Sequence, residues 1–161
     1  GRTITQSSHL AALMVLVSVL SALTIPRLAT RQYRLIVLFM LCLSSVCATA
    51  LLRVPTGIPL LAGLIFQGIA TGSMMTIMML ILVETPGIGE RRAGTAGGLY
   101  FSTAEIGGVG GPVMLGVVYD ATGGFAAGLA VLCFIGLALA CCVWVLRYFV
   151  GRPSTVTTGS R

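Results

Sequence analysis

The chain has 161 residues, of which 57% are hydrophobic or aromatic and 9% charged, with a mean hydropathy of +1.03. Soluble domains carry about 25% charged residues, so this composition excludes an ordinary water-soluble globule and equally a disordered polar chain. The formal net charge is +6, yet the basic residues sit between apolar runs rather than on one soluble face, which excludes nucleic acid and points to phospholipid headgroups as partner.

Five apolar runs predict an all-α, polytopic membrane helix bundle. A hydrocarbon core about 30 Å thick needs roughly 20 helical residues to cross, and each run meets that length. The first predicted span runs from about His9 to Ile25 and stops at Pro26, with Ser7 and Ser8 as N-caps after a polar stretch from Arg2. The second runs from about Tyr33 to Leu52. The third runs from about Ile58 to Val83, bounded by Pro55, Pro59 and Pro86. The fourth runs from about Gly94 to Tyr119, followed by Asp120 and Thr122 as a turn that caps the next helix. The fifth runs from about Phe125 to Val150, and residues 151–161 read as a disordered cytoplasmic tail. Strict alternation over about ten residues, which membrane strands require, is missing.

The basic residues, all arginines, orient these spans. Arg27, Arg31 and Arg34 lie between the first and second spans, Arg91 and Arg92 between the third and fourth, and Arg147, Arg152 and Arg161 at or after the end of the fifth. Arg2 and Arg53 fall on the other side. The positive-inside rule then predicts an N-terminus outside and a C-terminus in the cytoplasm, in the plasma membrane. The chain opens on Gly1 and a polar loop, which is read as the last part of a longer membrane protein.

Small residues predict close helix packing, because membrane helices associate through close approach rather than through a hydrophobic drive. Gly68 and Gly72, Gly94 and Gly98, Gly107 and Gly111, and Gly124 and Gly128 are each four residues apart, and Gly63 precedes the first pair. Gly107, Gly108, Gly110, Gly111 and Pro112 fall within six residues. Pro112 removes one helix hydrogen bond and crowds the Gly108 carbonyl, so this segment is read either as a close crossing or as a hinge in a gate. Cys42, Cys47, Cys133, Cys141 and Cys142 all fall inside spans without metal-ligand spacing and read as small packing residues.

Few polar groups lie at membrane depth. Glu105 is about 16 Å along the fourth helix from Gly94, and a carboxylate there must be protonated, paired or wet. Two readings stand: a protonated acid bonded to a neighbouring helix, or a proton-coupling and gating acid. Gln67 and Thr71 lie one turn apart on the third span at matching depth, with Met74 and Met78 continuing that face. They read either as interhelical glue or as the lining of a cavity for an organic solute. His9 reads as an outer-edge histidine. Tyr33, Tyr100, Tyr119, Trp144 and Tyr148 read mostly as interfacial anchors. No clustered His, Asp, Cys or Ser set suggests an enzyme, and no cofactor motif is present.

The stretch from Glu84-Thr-Pro-Gly to Arg91-Arg92-Ala-Gly-Thr-Ala-Gly-Gly-Leu-Tyr100, then Glu105 to Gly116 with its Gly-Gly-Pro112, then Asp120-Ala-Thr-Gly-Gly-Phe125, resembles the end of a major facilitator superfamily transporter. The five spans would match helices eight to twelve, most of the C-terminal half. The resemblance implies a missing N-terminal half as partner, a small solute bound near the midplane between halves, and alternating access; proton coupling rests on the second reading of Glu105. The loop from Pro26 to Arg34 resembles that family's basic cytoplasmic motif but has Ala29 and Thr30 where an acid is expected. A non-transporting membrane anchor or assembly subunit is the alternative.

Overall fold

In the computed structural model, which describes residues 4–54 and 57–150, the chain forms five α-helices and one short 3₁₀ turn, with no strand among the described residues. The helices are α1 (Ile4–Leu28), α2 (Arg34–Leu51), α3 (Ile58–Glu84), α4 (Gly89–Thr122) and α5 (Phe125–Val150). All five are long and apolar enough to cross a membrane. Arg2, Pro55, Arg152, Arg161 and the predicted disordered tail lie outside the described residues.

α5 has the bounds the sequence predicts, and α3 extends one residue further. Two helices are longer than predicted. α1 begins at Ile4 and continues through Pro26 to Leu28, so Ser7 and Ser8 lie within its first turns rather than before it. α4 has 34 residues and is helical through Pro112. At about 1.5 Å per residue it is roughly 51 Å long, more than a hydrocarbon core of about 30 Å would require. Asp120 and Thr122 belong to its last turn. Thr122 Oγ1 lies 2.7 Å from the Val118 carbonyl, to which it donates, so it closes α4 instead of capping α5. Gly123 (φ +70°) then takes the left-handed conformation that ends the helix, its N–H reaching the Tyr119 carbonyl at 2.8 Å.

The helices alternate in direction. α1 and α3 run parallel: a Cβ on Gly68 would meet the Met14 carbonyl oxygen at 2.8 Å, and one on Gly72 would meet Ser18 Cα at 2.8 Å. One turn further, Ser21 Oγ bonds Ser73 Oγ and donates to the Ile69 carbonyl at 3.0 Å. α2 and α3 are antiparallel, with Gly63 against Leu51 and Leu52 and Ser44 donating to the Phe66 carbonyl. α2 and α5 are antiparallel as well, with Phe39 on Trp144 and Val46 on Gly136. α3, α2, α5 and α4 contact one another in sequence as a closed ring of four, and among the described helices α1 packs on α3 alone. The buried core of Leu38, Leu41, Cys42, Ile77, Ala140 and Val143 joins α2, α3 and α5.

The glycine spacings are used unevenly. Gly68 and Gly72 meet α1, and Gly128 meets Leu115 of α4. Around Gly94, Gly98, Gly107, Gly108, Gly110 and Gly111 an added Cβ would touch nothing within 4 Å. Cys42 packs in the core as predicted, whereas Cys47, Cys141 and Cys142 are exposed on the bundle surface.

Candidate functional site

Two places collect the polar side chains singled out from the sequence. The first is a cavity of about 390 Å³ between α2, α3 and α4. Gln67, Thr71, Met74, Met75 and Met78 of α3 form one wall, Ser45 of α2 a second, and Tyr100 and Ala104 of α4 a third. α2 and α4 do not touch each other, and the cavity occupies the gap. Helical spacing explains the α3 wall: residues 67, 71, 74, 75 and 78 fall three or four apart along one stripe. Met79, on the next face, instead places its Cε 3.0 Å from where a Gly97 Cβ would be.

The chemistry of this lining is soft and sparsely polar. Gln67 Oε1 is buried and accepts no hydrogen bond among the described residues. Leaving such an acceptor unmet costs about 1–3 kcal/mol, so it is poised to take a donor from whatever enters. The Tyr100 hydroxyl donates weakly to Met78 Sδ at 3.8 Å, which closes the α4 side of the cavity. Tyr100 and Ser45 are not flagged by the sequence in this role. Tyr100 reads there as an interfacial anchor, but α4 begins at Gly89, which sets Tyr100 about 16 Å along the helix.

Glu105 does not join the cavity. Ala104 lines it, and the next residue points about 100° further round the helix. Glu105 is exposed and makes no ion pair among the described residues. Gly107, Gly108 and Pro112 share that exposure and Gly111 is half-buried, so this face of α4 is bare among the described residues.

The second place is the arginine-rich end. The arginines of the Pro26–Arg34 loop meet an acid from α3: Glu84 pairs with Arg34 through Nη1, and Arg31 Nε lies 3.6 Å from the same carboxylate. Arg31 Nη2 also donates to the Glu84 carbonyl at 3.3 Å, and Arg34 Nε to the Ala29 carbonyl at 3.3 Å. The connections α1–α2 and α3–α4 therefore lie at one end of the bundle, with Arg53 and Asp120 at the other. Arg27, Arg91 and Arg92 are exposed there and Arg147 half-exposed. Glu84 thus bridges between helices, to arginines that precede α2 or begin it.

Comparison with protein-family models, with curated proteins and with solved structures returns no match.

Proposed function

We propose that this chain is most of the C-terminal half of a secondary transporter of the major facilitator type, moving a small solute across the plasma membrane by alternating access. The observation that carries the reading is the cavity at membrane depth with an unbonded buried acceptor, Gln67 Oε1, in walls where Ser45, Thr71 and Tyr100 are the other polar side chains among methionines and alanines. A purely structural bundle gains nothing from an unmet polar atom in that position, whereas a solute site needs a few placed polar groups in a mostly apolar lining. The arginine-rich end faces the cytoplasm, and the absent half covers the bare face of α4.

Accessibility tests this directly. In a background with the five native cysteines changed to alanine, Thr71→Cys is expected to react with a membrane-impermeant maleimide in both right-side-out and inside-out vesicles. Reaction in neither, as at a lipid-facing position, would remove the transporter reading.

The bare α4 face also supports the alternative, an assembly subunit, since glycines that meet nothing among the described residues can receive a foreign helix. The two readings diverge at Glu105. In a transporter, Glu105→Gln is expected to abolish proton-driven accumulation while downhill exchange of the solute continues, measured in proteoliposomes with and without a pH gradient. Undiminished accumulation would remove the coupling role and leave Glu105 as a contact to the partner helix.

A further inference from the structure

A second concave surface lies on the outside of the ring, away from the solute cavity. It is a groove of about 520 Å³ between α2 and α5, lined by Phe39 and Leu43 on one side and by Leu137, Ala140, Cys141 and Trp144 on the other. That volume falls in the range of ligand pockets, about 300–1,000 Å³. Its walls carry no charged side chain. Its rim does: the Arg147 guanidinium sits 5.3 Å from the Trp144 ring centroid, and Trp144 in turn packs on Phe39 at 5.2 Å between ring centroids.

We propose that this groove binds an anionic phospholipid, with one acyl chain along α5 and the phosphate on Arg147. Three observations converge. The first is depth. From Arg147 to Leu137 the groove descends ten residues, about 15 Å, which is the reach of one leaflet in a core about 30 Å thick. The second is charge. Among the described residues no carboxylate pairs with Arg147, whereas Arg31 and Arg34 share Glu84. The cation–π contact holds Arg147 over the groove mouth without neutralising it. The third is the position of the rings. Trp144 is 52% exposed and lies one turn inward of Arg147, at the level where an amphipathic indole meets headgroups. The last carbonyls of α5 repel an anion with a fraction of a charge. A guanidinium carries a full charge and offers paired donors to phosphate oxygens, which outweighs that repulsion.

Trp144 is the only tryptophan, so its fluorescence reports on the groove alone. The 161-residue chain is reconstituted in phosphatidylcholine vesicles in which a fixed fraction of lipid is replaced by brominated phosphatidylglycerol or brominated phosphatidylcholine. Bromine quenches tryptophan on contact. Apparent association from the quenching curves is expected to favour the glycerol lipid about fivefold. Arg147→Gln should bring the ratio to one, and Arg91→Gln, at the same end of the bundle, should leave it unchanged. Cys141→Phe, which fills the groove and keeps every charge, should abolish the excess quenching independently. Equal quenching by both lipids in the native chain, meaning that any lipid fills the groove, would overturn the proposal. So would a preference that survives Arg147→Gln or Cys141→Phe, which would place the anionic lipid on general surface charge instead.

Discussion

Gly72→Ala is expected to detach α1 from the bundle. A Cβ at this position would overlap the Ser18 carbonyl oxygen and come within 2.8 Å of Ser18 Cα. Both are backbone atoms, so no rotamer change relieves the clash and the whole of α1 must move away. Overpacking of this kind costs about 1–3 kcal/mol. Among the described helices α1 has no second one to fall back on, because it packs on α3 alone. The same displacement breaks the bond between Ser21 and Ser73, both buried, and interhelical bonds of that type contribute about 0.6–1.7 kcal/mol in membrane bundles. Gly111→Ala is the matched control, since its Cβ would meet nothing within 4 Å and alanine improves a helix by about 1 kcal/mol over glycine. Thermal unfolding in detergent should therefore show a lowered midpoint for Gly72→Ala and an unchanged or raised one for Gly111→Ala. Equal shifts would mean that α1 and α3 do not cross at Gly72. In the assembled protein Gly111→Ala acquires a second use: a loss of partner binding there, without loss of intrinsic stability, marks the α4 face as an interface.

The contrast between those two glycines shows what the sequence makes legible. Spans follow from length and hydropathy, so α3 and α5 fall within a residue of expectation. Hydropathy marks where a helix is in hydrocarbon, not where it stops being a helix. The polar but helix-compatible Gly89–Arg92 turn and the Asp120–Thr122 turn therefore extend α4 beyond its predicted span. Pro26 acts on the last turn of α1, and the helix runs on for two residues past it. Gln67 and Thr71 are legible as a pair because both sit on one helix at a spacing of four. Tyr100 and Ser45 are not, because their place in the cavity depends on which helices become neighbours. The same limit applies to Glu84, whose arginine partners are about fifty residues earlier in the chain. Four equal glycine spacings in the sequence become contacts, half-contacts or open faces according to the neighbour present, and among the described residues α4 has no neighbour within 4 Å of a Cβ at Gly107 to Gly111.

Glu84→Gln is expected to loosen the arginine-rich end, and the two arginines should share the effect unequally. The Arg34 side chain is 14% exposed and Glu84 33%, while Arg31 is 72% exposed. Removing the negative charge leaves the Arg34 cation mostly out of water with only neutral acceptors, the Ala29 carbonyl and the glutamine amide oxygen. A fully buried pair broken in this way costs 3–5 kcal/mol. Glu84 keeps partial access to water, which reduces the expected loss to about 1–3 kcal/mol. Arg31→Gln should cost about 0–1 kcal/mol, as exposed pairs do. Arg34→Lys should fall between, because lysine keeps the charge but loses the Nε–H donor and the planar fork. A double-mutant cycle on unfolding in detergent separates these contributions: coupling between Arg34 and Glu84 should exceed that between Arg31 and Glu84 by about 1 kcal/mol or more. Adding 1 M salt, where the Debye length is about 3 Å, should erase the Arg31 coupling and spare most of the other. If the two couplings are equal, Glu84 is a solvated surface acid and does not fasten the start of α2 to the end of α3. If they differ as expected, the connection from Thr85 to Ile88 is anchored through Glu84. The α3–α4 pair that holds Gln67 and Tyr100 on opposite walls of the cavity is then tied to α2 at the arginine-rich end, so a change in that ion pair can reach the cavity through α3 as a rigid helix.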